Sequence, residues 1–179
     1  NIENYDLIKF LIDRNVYEYI VKNNLYREWL NLSIAEYKKI IKSMMSENRY
    51  NHCVNVSKEA VKLAKRYGGD EEKAAIAGIL HDITKEMPKE EQLQIMLDSG
   101  IILDDIQKNA PKLWHGISGS VYIKNHLCIE DEDILNAICY HTTGRAGMSI
   151  LEKIIFVADF TSEERTYKGV EKKKKKSRK

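Results

Sequence analysis

Apolar residues recur three and four positions apart along almost the whole of this 179-residue chain, and only two prolines, Pro88 and Pro111, interrupt them. That spacing puts side chains on one face of an α-helix, whereas a half-buried strand would alternate at every second residue. No segment alternates in that way, so the fold expected is all-α. Helix signals punctuate the pattern. Residues 49–67 carry Val56, Ala60, Leu63, Ala64 and Tyr67 on one face and stop at Gly68-Gly69. Asp70 caps a helix over 71–83, Pro88 opens one over 88–98 before Gly100, and Pro111 opens one running to about His126. A helix over 130–141 gathers Glu130, Asp131, Glu132 and Asp133 in its first turn, where the helix dipole favours acids, and 149–160 forms the last strong helix. Ser33 with Glu36 makes a capping box for a helix over 33–45, and a shorter helical pattern covers 16–22.

Within this helical chain, polar residues stand where burial is expected. Residues 74–80, AAIAGIL, are apolar nearly all round, and such a helix is buried, yet it closes on His81-Asp82. His52 lies on the face of Val56, Ala60 and Leu63; His141 extends the stripe of Ile134 and Ile138; Asp159 follows Ile155 by four residues. A buried carboxylate is costly unless it is paired or binds a metal, and the sequence suggests no arginine on these faces. A divalent cation would satisfy the aspartates and imidazoles together. Nitrogen and oxygen ligands of this kind suit iron, manganese or zinc and argue against a thiolate site. Cys53, beside His52, is not a nucleophilic partner for it, because neighbouring residues on a helix point apart.

The ordered set of an early His, a His-Asp doublet and a late Asp resembles the HD superfamily of phosphohydrolases, here through His52, His81-Asp82 and Asp159. From about Arg49 to Lys168 the chain resembles the YqeK family more finely, through the strings RYNHCVNV, AGILHDITKEMP, WHGISGSV, YHTTGRAGMS and LEKIIFVADFTSEER. The resemblance implies a helical-bundle hydrolase that splits diadenosine tetraphosphate symmetrically into two ADP. It implies a catalytic metal, iron, held by His52, His81, Asp82 and Asp159. By the same matching, Asp82, Lys85, His115 and His141 serve catalysis. The substrate phosphates meet His52, Asp82, Ile83, Thr84, Lys85, His115, His141, Thr142, Asp159 and Arg165. His115 and His141 could alternatively complete a second metal site, as in dinuclear HD enzymes. Family members are often homodimers. Two other readings stay open: another HD-type nucleotide phosphohydrolase or phosphodiesterase, and a nucleotide-binding regulatory module without turnover.

The string at 10–29, FLIDRNVYEYIVKNNLYREW, resembles the C-terminal end of bacterial nicotinate-nucleotide adenylyltransferases. Residues 1–46 are therefore read as a helical appendage, 47–170 as the phosphohydrolase domain, and 171–179 as a basic, disordered tail. The sequence lacks the phosphate motifs of the adenylyltransferase, and without an initiator Met it reads as a fragment of such a bifunctional protein. After TYKGVE the chain departs from the family pattern and runs into KKKKKSRK. Residues 168–179 hold eight Lys or Arg against one Glu, which exceeds the chain's formal net charge of +2 and leaves the body acidic. An acidic body offers no basic patch for nucleic acid. No run of about 18 apolar residues stands ready to span a membrane. Three scattered cysteines, Cys53, Cys128 and Cys139, point to reduced thiols within helical patterns and hence to the cytoplasm.

Overall fold

A computed structural model describes residues 32–177, and Ser33–Lys179 forms one compact unit. Every element among the described residues is helical. They are α1 (Ile34–Met44), α2 (Glu47–Tyr67), α3 (Glu71–Leu80), α4 (Lys89–Asp98), α5 (Asp105–Lys108), a 3₁₀ turn (Pro111–Leu113), α6 (Trp114–Leu127), α7 (Glu132–Cys139), α8 (Ile150–Thr161) and α9 (Val170–Ser177). The helical pattern at 16–22 and the string at 10–29 lie outside the described residues. No helix among the described residues is long and apolar enough to cross a membrane.

The start and stop residues act as their chemistry dictates. Asp70 accepts from the backbone N–H groups of Glu72 and Lys73, and Gly68 closes α2 at φ 72°. Ser33 with Glu36, and Ser149 with Glu152, form complete capping boxes on α1 and α8. The helix α3 ends at Leu80 rather than at 83, because the next residues tighten into three-residue turns: Ile83 N–H donates to Leu80, Lys85 N–H to Asp82 and Met87 N–H to Thr84. Tyr67, assigned to the buried face of α2, is 47% exposed at the end of the helix. Cys128 is not inside a helix but closes α6 in the left-handed conformation at φ 53°.

The core assembles around α3, which touches α1, α2, α7 and α8. Ala74, Ala77, Ile79 and Leu80 are fully buried there. Gly78 brings α3 against α2 so closely that a Cβ at this position would lie 2.6 Å from Ser57 Cα. Gly116 does the same for α6 against α7, where a Cβ would lie 2.7 Å from the Cys139 carbonyl oxygen. These two crossings place the histidines of neighbouring helices side by side.

Two stretches depart from the sequence reading. The helix over 33–45, grouped with the N-terminal appendage, belongs to the compact unit: Tyr37 and Ile41 of α1 are buried and the helix packs on α2 and α3. The lysine run is helical through Ser177 instead of disordered. Like charges repel along such a run, but Val170 and Lys174 lie one turn apart and both face inward. Lys174 Nζ donates to the carbonyls of Glu163 and Arg165.

Candidate metal centre

His52 projects from α2; His81 caps the end of α3, with Asp82 next in the turn; His115 opens α6; His141 follows α7; Asp159 stands in the last turn of α8. Helices from both ends of the chain's order therefore deliver their polar residues to one place. His52, His81, Asp82, His115 and His141 are all buried.

The four imidazoles share one orientation. His81 Nδ1 donates to Gly78 at 2.8 Å, His115 Nδ1 to Lys112 at 3.0 Å and His141 Nδ1 to Ile138 at 2.7 Å, each time to a backbone carbonyl. His52 Nδ1 meets the Glu164 carboxylate at 2.5 Å. A neutral imidazole that donates through Nδ1 presents a lone pair at Nε2. Those lone pairs converge. Nε2 of His52 lies 3.2 Å from Nε2 of His81, and Nε2 of His115 lies 3.1 Å from Nε2 of His141.

Two carboxylates close the set. Asp159 Oδ1 lies 3.1 Å from His52 Nε2, and Asp82 Oδ1 lies 3.2 Å from His115 Nε2 and 3.5 Å from His141 Nε2. The buried Asp82 Oδ1 nonetheless makes no well-aligned hydrogen bond. Acceptors that face one another call for positive charge among them, and oxygen and imidazole nitrogen are the donor set of a hard or borderline divalent cation. Two triads have ligand atoms within 4.8 Å of one another: His52, His81 and Asp159, and His81, Asp82 and His141. Both include His81, whose single Nε2 lone pair serves one ion. The residues present fit a divalent metal.

Burial opposes ionisation of Asp82, but His81, His115 and His141 outweigh it and hold the carboxyl well below its usual range. Burial likewise opposes Asp159, and His52, His81 and Arg165 override it. Burial pushes the His115 imidazole down to about 4, with His141 and Lys85 reinforcing it against Asp82, so the ring stays neutral near pH 7. Burial also lowers Lys85, whose Nζ donates to His115 Nε2 at 3.0 Å.

The remaining candidates divide. Arg165 reaches the site and donates to Asp159. Thr142 has a buried hydroxyl with no hydrogen-bond partner beside His141, a group available to a ligand. Ile83 and Thr84 do not present side chains to it: Ile83 packs in the core, and the Thr84 hydroxyl donates to the His115 carbonyl at 3.0 Å. Those two residues hold α6 against the His-Asp turn. The absence of arginine from these faces is corrected too. Arg49 donates to Asp82 at 2.8 Å and Arg165 to Asp159, so each carboxylate has a guanidinium partner. Arg49 was legible, three residues before His52 on the same helical face. Glu164 carries no such local signal. Cys53 is no nucleophile: burial raises its thiol pKa, and its sulfur lies against Met45 at 3.9 Å.

Comparison with known proteins follows this geometry. The HD domain family matches residues 49–163. The chain is similar to the symmetrical bis(5'-nucleosyl)-tetraphosphatase of Bacillus subtilis, 43% identical over 135 residues that cover 75% of this chain and 72% of that protein. A probable nicotinate-nucleotide adenylyltransferase/Ap4A hydrolase of Mycoplasma genitalium is 31% identical over 84% of this chain but only 39% of its own length. A crystal structure of an HD superfamily hydrolase from Clostridium acetobutylicum superposes with a TM-score of 0.79 at 40% identity, covering 82% of this chain and 77% of that one.

Proposed function

The chain belongs to the HD domain family, and from that premise we propose that it is a metal-dependent hydrolase that cleaves diadenosine tetraphosphate symmetrically into two ADP. One observation carries the metal dependence: four imidazoles, each tied through Nδ1, turn their Nε2 lone pairs toward each other and toward Asp82 and Asp159. Likeness to symmetrical tetraphosphatases supports the substrate.

His52, His81, Asp82 and Asp159 would hold the cation. When bound, such a cation lowers the pKa of a water and polarises a phosphoryl oxygen. The chain's own residues do the rest. Arg49 and Arg165 stand at the two carboxylates and Lys85 at His115, three cations able to receive phosphate oxygens and offset the charge that builds there. The Thr142 hydroxyl supplies a neutral donor beside them. Water adds across the central phosphoanhydride, so each half departs as ADP.

Iron is the proposed metal, with manganese and zinc compatible with the same ligands. Chelation should abolish turnover and ferrous ion should restore it better than magnesium; equal rescue by magnesium would overturn the ligand assignment. Chromatography of the products tests the substrate. ADP alone is expected from diadenosine tetraphosphate, and ATP with AMP would refute symmetrical cleavage. A second cation is favoured by the orphaned Asp82 Oδ1 facing His115 and His141. Two metal equivalents per chain would support it and one would exclude it. Residues 10–29 support placing this hydrolase behind an adenylyltransferase domain, two activities that the name of the Mycoplasma relative joins.

A further inference from the structure

Three of the imidazoles find their Nδ1 acceptor within their own stretch of chain. His81 and His141 use carbonyls of the last turns of α3 and α7, which have no partner inside the helix, and His115 uses Lys112 just before α6. His52 has no such option. It lies well inside α2, where the nearby carbonyls are taken by the helix itself. Its acceptor comes from 112 residues away.

We propose that Glu164 is the positioning residue that fixes His52 as a metal ligand, and that Lys174 of the lysine-rich helix α9 holds Glu164 in place. The inference rests on the metal-centre reading above.

The Glu164 carboxylate spans two residues of α2. Oε1 accepts from His52 Nδ1 at 2.5 Å and Oε2 accepts from Asn55 Nδ2 at 2.9 Å. The Ser162 hydroxyl donates to Oε1 at 2.7 Å. Three donors surround this carboxylate. With Asn55 and Ser162 both donating to this carboxylate, it acts as acceptor for His52 as well, so Nδ1 carries the proton and the Nε2 lone pair faces the site. Carboxylates set behind metal-bound histidines in this manner fix the ring and raise its basicity, and their loss costs about 10–100-fold in metal affinity.

The segment that carries Glu164 has no regular structure of its own. From Ser162 to Gly169 it is turn and bend. Its backbone is tied from α9 by the side chain of Lys174, buried to 8% exposure, which donates at 3.1 Å to the carbonyls on either side of Glu164, those of Glu163 and Arg165. One ammonium thus fixes the backbone of the residue that orients His52 and of the residue that pairs with Asp159. The exposed lysines of α9 make no such bonds, and they keep the helix surface in water while Val170 and Lys174 dock it.

The test is anaerobic titration of the full chain with Mn²⁺ alone, reading free ion by its paramagnetic resonance, in wild type, Glu164→Gln and Lys174→Met. Wild type should bind Mn²⁺. Glu164→Gln should weaken binding by about 10–100-fold. Lys174→Met keeps the aliphatic stem and should weaken it in the same direction but less, while Lys174→Arg, which retains donors, should recover part of the loss. The His52 Nδ1 proton should appear far downfield in the nuclear resonance spectrum of wild type and vanish in Glu164→Gln, a change that general loosening of the fold would not produce selectively. Wild-type affinity in Glu164→Gln overturns the proposal, and wild-type affinity in Lys174→Met overturns its second half. Failure of the wild type to bind Mn²⁺ would instead sink the metal-centre reading on which both depend.

Discussion

The imidazoles of this site fall into two regions that are built differently. His81, His115 and His141 take their orientation from carbonyls three residues back in their own chain. His52 takes its orientation from a carboxylate 112 residues on. The first region is formed as soon as its helices end where they do. The second requires the segment after α8 to dock on α2. A histidine cluster can thus mix rings oriented by local geometry with one that is oriented only once the fold is complete. Disturbing the site should expose that asymmetry.

The largest effect should come from the residue both regions share. Asp82 lies within 3.7 Å of His52 and 3.4 Å of His81, and it also faces His115 and His141. Asp82→Ala should lower kcat by more than about 10³-fold, over about 4 kcal/mol of barrier, in an assay of ADP release; an active variant would show that the two regions are not one site. Gly78→Val should come next, because the new side chain must displace the backbone of α2 at Ser57. A loss of about 3 kcal/mol in the urea unfolding free energy is expected, together with weakened metal binding as His52 moves from His81. A stable variant would mean that the helices can slide apart freely. Lys85 touches only the local region, through His115. Replacing it with Met should reduce kcat/KM roughly tenfold, about 1.4 kcal/mol, without altering Mn²⁺ affinity. Ser162→Ala removes one donor from Glu164 and touches only the long-range region. It should cost about 1 kcal/mol of stability and shift metal affinity slightly, and an equal effect from Lys85→Met on affinity would erase the distinction. His126 is exposed on α6 beside Tyr122, away from both regions. His126→Ala should leave turnover within about twofold, under about 0.5 kcal/mol.

The same asymmetry explains what could be read from the sequence. Helix ends were legible because their signals are local: Gly68 after α2, Asp70 before α3, and the pair Ser33 with Glu36 before α1. The burial of His52, His81 and His141 was legible from apolar patterns at helical spacing, whereas His115 was marked only by the family resemblance. Arg49 was within reach of the same rule, being one turn before His52. Glu164 and Lys174 were not. Nothing in SEER marks Glu164 as different from Glu163, and a lone inward lysine in a run of five is invisible until its two carbonyl partners are known. Ile83 and Thr84 went the other way. The family resemblance places them among the substrate residues, but the tight turn after α3 turns their side chains into the core. Helix α1 was assigned to the appendage because its composition matches the residues before it, whereas its buried Tyr37 and Ile41 show where it packs.

Where α2 crosses α3, the missing side chain of Gly78 lets main chain rest on main chain at Ser57. The gap between the two helices is therefore set by the thickness of the polypeptide itself, with no rotamer free to adjust it. That contact is the ruler for the two backbones beneath His52 and His81, while the Nδ1 partners of the rings aim the nitrogens above it.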